Sequence, residues 1–470
     1  MTNLVWLRND LRIDDNSAIY HACKNKKKKI IILFISTPDQ WKNHLMSSIQ
    51  ANFIYKRILY LKKKINSLNI KFLYVELKNF NESIYYIFFI CKKYKIKSIF
   101  YNFQYEFNEQ KRDNFLKNLL IKNKIKVFNF HDNILISPSL IKNNLGNAYK
   151  RFYFFKKKSL NILKKNKIIS FSSLKINKFH RIYKNKKINF SFKRKNFNIK
   201  NFPFEDKLII KKIDNFFKKK FSSYFLNKDK LYLNNTSQFS IYLNLGIFSI
   251  RKFFFYILKF SKNNYRNSVS LLNELLWREF FKHLMFSYPF LSKNKYLKKN
   301  IKKVKWKKNS FYLKAWKNGL TGFPIIDAGM RQLKKTGWMN NRLRMITANF
   351  LVKNLLINWR MGEKHFMLYL IDSDFSINNG NWQWIASVGT ESASYIRTFN
   401  PYIQSKKFDY KGIFIKKYVK ELKNVPIKNI HSPYSWLKKN EPNTNYPKPI
   451  VNYNKTRKKF IKIMKTIHLR

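Results

Sequence analysis

The pattern of apolar and polar positions divides the chain into a first part with strand signals and a longer part that is mainly helical. In residues 1–135, short runs of β-branched and aromatic residues alternate with amphipathic stretches. The five runs cover residues 4–7, 30–35, 72–76, 98–101 and 127–130. Strands that alternate with helices form βαβ units, so this pattern predicts an α/β domain with a parallel sheet.

An amphipathic helix is predicted between the second and third strands. Its apolar residues recur with helical spacing and lie on one face, at Ile54, Ile58, Leu61, Ile65 and Leu68. Ser47 and Ser48 precede this stripe and are the N-cap candidates. The order strand, helix, strand predicts a crossover connection.

The periodicity weakens after residue 135. Residues 136–201 are rich in Lys, Asn, Phe and Ser, which fits an irregular connector or marginal helices equally well. We treat residues 136–203 as a connector that runs over the surface. From residue 204 to residue 470 the pattern is helical, which predicts an α-rich second domain.

Length and cysteine usage indicate a cytoplasmic protein with at least two domains. The chain has 470 residues, too many for one ordinary core. Its two cysteines, Cys23 and Cys91, form no CxxC pair, which argues against a disulfide framework or a zinc cluster. The longest apolar run, residues 84–91, is far shorter than the ~20 residues of a membrane-spanning helix. No secretion leader is recognisable either, so we expect a soluble protein.

The net charge favours a polyanionic partner without proving one. Lys and Arg number 97 against 24 Asp and Glu, which gives +73. Such a field attracts nucleic acid. However, Lys, Asn, Ile, Phe and Tyr are in excess along the whole chain, so A/T-rich codons and solvated surfaces account for the charge equally well.

Two helical segments combine charged, amide and indole side chains. In residues 273–280, a helix would put Glu274, Trp277 and Arg278 on one side, although a salt bridge beside a core tryptophan is the alternative. In residues 336–350, Asn341, Arg344 and Met345 share a face that suits a planar ligand, and Arg342 is left free for a phosphate. The alternative for this segment is a basic amphipathic helix.

Two further segments carry polar groups at close spacing. In residues 372–384, Asp372, Asp374 and Asn378 are followed by two indoles, and such a combination is costly to bury unless it surrounds a polar aromatic group. Residues 236–240, TSQFS, place three hydroxyl groups before a helical pattern, where they could bind phosphate or serve as a plain N-cap. The four segments together offer hydroxyls for a diphosphate, polar edges for a heteroaromatic ring, and easily oxidised indoles.

The sequence resembles the photolyase/cryptochrome family, and specifically the bacterial class I cyclobutane pyrimidine dimer photolyases. The resemblance is carried by VWLRNDLRIDDNSAI at residues 5–19 and by residues 273–280, 321–366 and 372–401. It covers nearly the whole chain and is weakest between residues 136 and 201. It implies a Rossmann-like α/β domain at residues 1–135 that binds a light-harvesting antenna, a connector, and a helical domain at 204–470 that binds folded FAD and DNA.

The resemblance also implies a set of cofactor-binding residues. The FAD positions are Tyr224, Thr236, Ser237, Gln238, Phe239, Ser240, Leu271, Glu274, Arg278, Trp338, Asn341, Arg344, Asp372, Ser373, Asp374 and Asn378. Asn378 would lie near the reactive ring nitrogen and Arg344 would pair with Asp372. The antenna, expected to be 5,10-methenyltetrahydrofolate, would contact His44, Asn108, Glu109 and Lys293. A surface helix start is the alternative for the Asn108–Glu109 pair.

The implied activity is light-driven repair of cyclobutane pyrimidine dimers by a monomer. Excited reduced FAD would give an electron to the dimer, the ring would split, and the electron would return. Trp382, Trp359 and Trp306 match an electron relay, and packed indoles are the alternative. Trp277 and Trp384 would stack on a flipped dimer whose bases contact Glu274, Asn341 and Met345. The DNA backbone would meet Lys228, Arg342 and Gln404.

Five positions depart from the family pattern, and three rival functions are open. The departures are Leu271 for Trp, Lys228 and Gln238 for Arg, Asn340 for His, and Ser292 for an antenna-site Cys. Lys228 gives up a bidentate phosphate contact. The rivals are a cryptochrome photoreceptor, a (6-4) photoproduct enzyme and a non-enzymatic nucleic-acid-binding protein. Trp277, Trp384, Asn341 and Met345 favour dimer repair, since the (6-4) branch has His at the last two positions.

Overall fold

The computed structural model describes residues 2–25, 28–171, 188–233, 235–297, 304–390 and 398–468. Two compact units are present. The first comprises Met1–Phe217, Gln238–Lys293 and Asp372–Ser376, and the second comprises Lys218–Ser237, Asn294–Ile371 and Ile377–Arg470. Each unit is therefore assembled from separate stretches of the sequence.

The first unit contains a five-stranded parallel sheet in the order β3-β2-β1-β4-β5. The strands are β1 (Thr2–Leu7), β2 (Lys29–Ser36), β3 (Lys71–Glu76), β4 (Ile96–Asn102) and β5 (Lys126–Phe130). All five predicted strands are confirmed. The central strand β1 has Val5 beside Ile32 on one side and beside Phe100 on the other. Because helices cover both faces of such a sheet, its strands are nearly continuous apolar runs.

The helices alternate with the strands and then continue without them. In the first unit they are α1 (Ser17–Cys23), α2 (Pro38–Asn43), α3 (Ser48–Asn66), α4 (Phe80–Lys93), α5 (Phe107–Lys122), α6 (Phe152–Lys165), α7 (Asp206–Lys219, which ends just past the unit), α9 (Ser240–Asn244), α10 (Ile250–Lys259) and α11 (Tyr265–Ser287). The remainder are α8 (Tyr224–Asn227), α12 (Ser310–Asn318), α13 (Pro324–Thr336), α14 (Asn341–Asn349), α15 (Trp359–Tyr369), α16 (Phe375–Ile385), α17 (Pro401–Phe408), α18 (Ile413–Tyr418), α19 (Tyr434–Asn440) and α20 (Tyr453–His468).

The predicted crossover helix is α3. Its N-cap is Ser47, whose side chain accepts from the backbone N–H of Gln50 at 3.2 Å, and Ser48 is the first helical residue. The predicted stripe Ile54, Ile58, Leu61 and Ile65 is buried on one face. Leu68, the last residue of the predicted stripe, lies just past the helix end.

The connector is not irregular throughout. Residues Phe152–Lys165 form helix α6, which buries Phe152, Phe155 and Ser159 and packs on α11. Of the two possibilities that the composition left open, the helix is therefore the one found in this stretch, and a purely surface course is wrong for it. Residues 172–187 of the connector lie outside the described residues.

Each unit has its own apolar core. In the first unit Leu4, Trp6 and Leu33 of the sheet pack with Ile87 and Leu116 of the flanking helices. In the second unit the core includes Trp316, Leu351, Trp359 and Trp382. Within the part of the chain that the structure describes, no helix has both the length and the apolarity needed to cross a membrane.

Candidate functional site

Helix α11 of the first unit carries the first predicted cluster. The buried Arg278 donates to the backbone oxygen of Asn133 at 2.8 Å and to that of Leu243 at 3.1 Å. It also donates to the Asn133 side chain, and its ion pair is with Glu279 at 3.7 Å. Arg278 thus fixes α11 against the segment that follows β5. Leu271 is buried in the same helix, and Glu274 is half-buried.

Trp277 of α11 is stacked on an aromatic residue that sequence reasoning missed. The ring centroids of Trp277 and Phe152 are 3.7 Å apart, and the planes differ by 9°. Phe152 is buried at the start of α6, and Trp277 is half-buried. The available sequence signal for this helix was the spacing of three and four residues between Phe152, Phe155 and Ser159, the residues that the structure buries.

The short segment Asp372–Ser376 is bound tightly within the first unit. The backbone oxygen of Ser373 accepts from the side chains of Gln50 at 2.9 Å and Asn244 at 2.5 Å. The Ser373 hydroxyl donates to the Gln50 side chain at 3.0 Å. These contacts fix the backbone between the two predicted cofactor-binding acids.

Both acids of this segment have partners in the first unit. Asp372 accepts from the Ser240 hydroxyl at 2.5 Å, and Asp374 pairs with Lys282 at 2.5 Å. Glu106 lies 3.9 Å from Lys282 and accepts from the Ser376 hydroxyl at 2.7 Å. Burial raises the pKa of Glu106, and the Lys282 ammonium opposes that rise. The Lys282 ammonium therefore lies close to two carboxylates, the buried Asp374 and the half-buried Glu106.

Residues 236–240 do not form a conventional helix cap. Helix α9 begins at Ser240, and its N-cap, Phe239, makes no side-chain capping bond. Gln238 has φ +53°, a left-handed conformation, and its side chain accepts from Lys212 at 3.1 Å. The buried hydroxyl oxygen of Thr236 has no hydrogen-bond partner among the described residues. A buried hydroxyl in this position fits a ligand oxygen such as that of a diphosphate, so this segment suits FAD.

Helix α14 of the second unit carries the second predicted cluster. Asn340, a departure from the family pattern, is its N-cap and accepts from the Arg342 backbone at 2.8 Å. The Arg342 side chain is not free as predicted, because it pairs with Asp229 at 2.7 Å. Arg344 donates to the backbone oxygen of Met339 at 2.9 Å. On this helix Asn341 is exposed, and Met345 is half-buried against the core.

The three predicted relay tryptophans all belong to the second unit. Trp359 and Trp382 are buried in its core, and Trp306 is packed against that core and half-buried. The indole nitrogens of Trp359 and Trp306 are buried without a hydrogen-bond acceptor among the described residues. Two rings lie edge-on to the Trp382 indole: that of Phe366 at 5.0 Å and that of Trp316 at 6.3 Å. The relay and the packing interpretation are compatible with this placement.

Asn378 is oriented by a residue that the sequence did not single out. Its amide nitrogen donates to the backbone oxygen of Glu363 at 3.0 Å, so its amide oxygen is the atom left to accept from a ligand. The Glu363 carboxylate accepts from Asn379 at 2.7 Å. Burial raises the pKa of Glu363 to about 7, although the Asn379 bond lowers it. The sequence alone does not indicate that a single glutamate in a predicted helix will be buried and will contact these two asparagines.

Three of the four predicted antenna residues, His44, Asn108 and Glu109, form one cluster in the first unit. The Nδ1 atom of His44 lies 3.3 Å from the Glu109 carboxylate. Its Nε2 atom is within hydrogen-bond distance of the side-chain amides of Asn108, at 3.1 Å, and Gln40, at 2.7 Å. Burial lowers the pKa of His44, and the Glu109 carboxylate raises it. The net result is a raised pKa for His44. The second oxygen of the buried Glu109 carboxylate has no partner among the described residues.

Ser292, which stands where the family pattern can have an antenna-site Cys, and Lys293, which matches that pattern, both contact Phe107. Ser292 accepts from the Phe107 backbone at 3.1 Å and donates to Pro289 at 2.7 Å, so it ties the start of α5 in place. The Lys293 ammonium lies 3.7 Å from the centroid of the Phe107 ring.

The remaining predicted residues lie in the second unit. Tyr224 is buried with the Lys228 ammonium 5.7 Å from its ring centroid. The backbone oxygen of Lys228 accepts from Asn340 at 3.0 Å. The side chains that keep part of their surface exposed are Lys228, Ser237, Trp338, Trp384 and Gln404.

The parallel α/β unit, the helical unit and the clusters of polar and indole residues define a two-part flavoprotein architecture. Residues 3–170 match the family model described as DNA photolyase, and residues 271–466 match the FAD binding domain of DNA photolyase. The chain belongs to the DNA photolyase family.

Named relatives match over the full length of the chain. A deoxyribodipyrimidine photo-lyase of Buchnera aphidicola (subspecies Acyrthosiphon pisum) is 46% identical, with 100% of this chain and 98% of that protein covered. The deoxyribodipyrimidine photo-lyase of Escherichia coli is 38% identical, with 97% of each covered.

The fold alone does not separate repair from signalling. The crystal structure of a Synechocystis cryptochrome matches with a TM-score of 0.86 at 26% identity, over 98% of this chain and 99% of that one. The higher identity of the named photo-lyases favours a DNA repair photolyase over a cryptochrome. The FAD-binding family match supports FAD as the cofactor.

Proposed function

We propose that this protein uses light to split cyclobutane pyrimidine dimers in DNA. The observation that carries the proposal is the exposure of the four residues assigned to the dimer. Trp277, Trp384 and Met345 are half-buried and Asn341 is exposed, so each retains surface for a ligand. A dimer pairs weakly and is cheaper to extrude than an intact base, which gives selectivity without sequence readout. The net charge of +73 supports binding to the DNA backbone.

When bound, reduced FAD would supply the light-driven electron chemistry. The residues proposed to hold it are those assigned by family resemblance, beginning with Thr236, Arg278 and Asp372. The Thr236 hydroxyl would meet a phosphate oxygen, since it is buried without a partner among the described residues. The Asn378 amide would accept a hydrogen bond from the flavin ring, because its nitrogen is already committed to Glu363. Electrons would pass from the surface to the flavin through the indoles of Trp306, Trp359 and Trp382.

The antenna is proposed to be 5,10-methenyltetrahydrofolate, held at His44, Asn108, Glu109 and Lys293. The support is the Glu109 carboxylate, which is buried and has one oxygen without a partner among the described residues. Such an oxygen would accept from the N–H edge of a pterin. Reconstitution with the folate should add its near-ultraviolet absorption band, and Glu109→Gln should abolish that band while flavin absorption stays. A band that survives Glu109→Gln would overturn this assignment.

We also propose that the protein acts as a monomer in the cytoplasm. Two cysteines without a disulfide framework support a reducing compartment. Size-exclusion chromatography with light scattering tests the monomer: a mass near 57.3 kDa for the protein chain is expected, and twice that value would refute it.

A direct experiment tests the repair activity. The purified protein should show flavin absorption and should restore dimer-containing DNA under near-ultraviolet or blue light. Glu274→Ala combined with Trp277→Ala should abolish repair while the flavin spectrum is retained. Flavin absorption in a wild-type protein that repairs nothing would point to signalling, and a colourless protein that cannot take up FAD would refute the proposal.

A further inference from the structure

The stack between Phe152 and Trp277 joins two helices of the first unit. Phe152 is the first residue of α6, and Trp277 lies in the middle of α11. Their centroids are 3.7 Å apart with an interplanar angle of 9°, so one face of the indole is covered. We infer that Phe152 is a positioning residue for dimer recognition, because it supports Trp277 from behind. This inference rests on the proposed function.

The other rings around Trp277 have different geometry. Phe281 is tilted by 30° at 5.8 Å, and Phe280 meets the indole edge-on at 79° and 5.8 Å. Among the ring contacts that the structure describes, Phe152 alone lies parallel to Trp277. A parallel neighbour restricts rotation of the indole about its side-chain torsions, whereas an edge contact restrains only one side of it.

Phe152 is itself held in place. It packs edge-on to Phe280 at 5.8 Å and 71°, and Phe280 contacts Phe155 of the same helix at 5.3 Å. Phe152, Phe155 and Phe280 are all buried. The support behind Trp277 is therefore part of a packed cluster and not a mobile surface side chain.

This arrangement affects binding more than chemistry. A pyrimidine ring that stacks on Trp277 must use the face opposite Phe152, which gives three layers: Phe152, the indole and the base. Because the indole is already fixed, less rotamer entropy is lost when the base arrives. Removing the support should weaken affinity for the dimer and leave the splitting of bound dimers unchanged.

The experiment uses three variants of the full-length protein loaded with FAD. Phe152→Leu keeps an apolar side chain and removes the flat face, Phe152→Tyr keeps that face, and Phe155→Leu is the control. Phe155 lies in the same helix, is buried, and contacts Phe280 and His283. Binding is measured in the dark with dimer-containing and undamaged oligonucleotides, and the quantum yield of splitting is measured at saturating protein.

Phe152→Leu should raise the Kd for dimer-containing DNA about fivefold, the size expected from one aromatic stack. Its Kd for undamaged DNA, its flavin spectrum and its quantum yield should stay unchanged. Phe152→Tyr should bind within twofold of the wild type, as should Phe155→Leu. Equal losses in Phe152→Leu and Phe155→Leu would mean that Phe152 only fills the core, and would overturn the inference.

A double variant separates this inference from the proposed function. In a Trp277→Ala background, Phe152→Leu should cause no further loss of dimer affinity, because the supported group is gone. If Trp277→Ala weakens dimer binding while Phe152→Leu does not, the positioning role is refuted and the repair proposal stands. A wild-type protein with no preference for dimers would refute the proposed function itself.

Discussion

The indole of Trp382 packs against Gly362 so closely that no side chain fits at residue 362. A Cβ atom there would lie 2.1 Å from Cη2 and 2.6 Å from Cζ3 of Trp382. Gly362 lies within α15, where glycine costs about 1 kcal/mol relative to alanine. Glycine is found here despite this cost because the Trp382 indole occupies the space that a Cβ atom would need.

Gly362→Ala should therefore destabilise the protein despite the better helix propensity of alanine. We expect a loss of about 1–3 kcal/mol from overpacking, and slower light-driven reduction of the bound flavin because Trp382 must move. Urea denaturation and flavin absorbance under illumination measure the two effects. The control is Met361→Ala on the same helix, where the side chain is 39% exposed. A Gly362→Ala variant that is more stable than the wild type would contradict the prediction and show that the Trp382 indole can shift at little cost.

The buried Glu363 should make stability fall with rising pH. Burial raises the pKa of its carboxyl from 4.5 to about 7 in the folded protein. A raised folded pKa contributes stability below the unfolded pKa, and that contribution is lost as the pH rises from about 4.5 through about 7. Glu363→Gln should remove this dependence and be more stable than the wild type at pH 8, by at most roughly 3 kcal/mol.

Urea denaturation at pH 5, 6, 7 and 8 measures the Glu363 effect as the difference between wild type and variant. Glu279, whose pKa burial also raises to about 7, cancels in that difference. Glu421→Gln is the control, since Arg331 lowers the pKa of Glu421. A difference that does not vary with pH would contradict the prediction.

The opposite sign is expected for Asp132. Burial alone would raise its pKa, but Arg12 at 2.5 Å and Arg251 at 2.9 Å hold it well below the usual value. Its stabilising contribution is present above an unfolded pKa of about 4 and is lost as the pH falls below that value. Asp132→Asn should cost about 3–5 kcal/mol at pH 7, because the buried Arg12 loses its carboxylate partner and the buried Arg251 keeps only Asp15. Denaturation at pH 7 and pH 3 should show the cost shrinking in acid.

The ion pair between Arg342 and Asp229 should limit DNA affinity. Both side chains are about a third exposed, so a DNA phosphate would compete with the Asp229 carboxylate for the guanidinium. Asp229→Asn should tighten binding to undamaged DNA a few-fold, whereas Arg342→Ala should weaken it and reduce the salt slope by about one. Fluorescence anisotropy at several salt concentrations measures both changes.

The matched control for this pair is Arg331 with Glu421. That ion pair has the same 2.7 Å separation and similar exposure but was not assigned to DNA. Glu421→Gln removes the same unit of charge as Asp229→Asn. If both substitutions tighten binding equally, the effect comes from net charge, and Arg342 has no special role.

The strands and α3 could be predicted because their apolar periods are strong. Parallel strands buried on both faces read as continuous apolar runs, and Ser47 is a common type of N-cap. Helix α6 was ambiguous because lysine and asparagine surround its three buried positions. The buried face of this helix is only two turns long, so its periodicity is difficult to recognise among so many polar residues.

The candidate residues were recognised by resemblance, but their contacts were not predictable. Arg278 and Arg342 were expected to be available to ligands, yet one binds Asn133 and the other Asp229. Glu363, Gly362 and Phe152 were missed because their importance comes from partners distant in the sequence or on the next helix. Spacing along a helix shows which residues share a face and does not show what packs against it.

The way in which Ser373 is bound has a consequence for protein synthesis. Its backbone oxygen accepts from Gln50 and Asn244, both made long before it on the ribosome. Until residue 376 has left the exit tunnel, those two buried amides lack their acceptor and the acids paired with Ser240 and Lys282 are missing. A nascent chain that stalls earlier therefore carries an incomplete first unit.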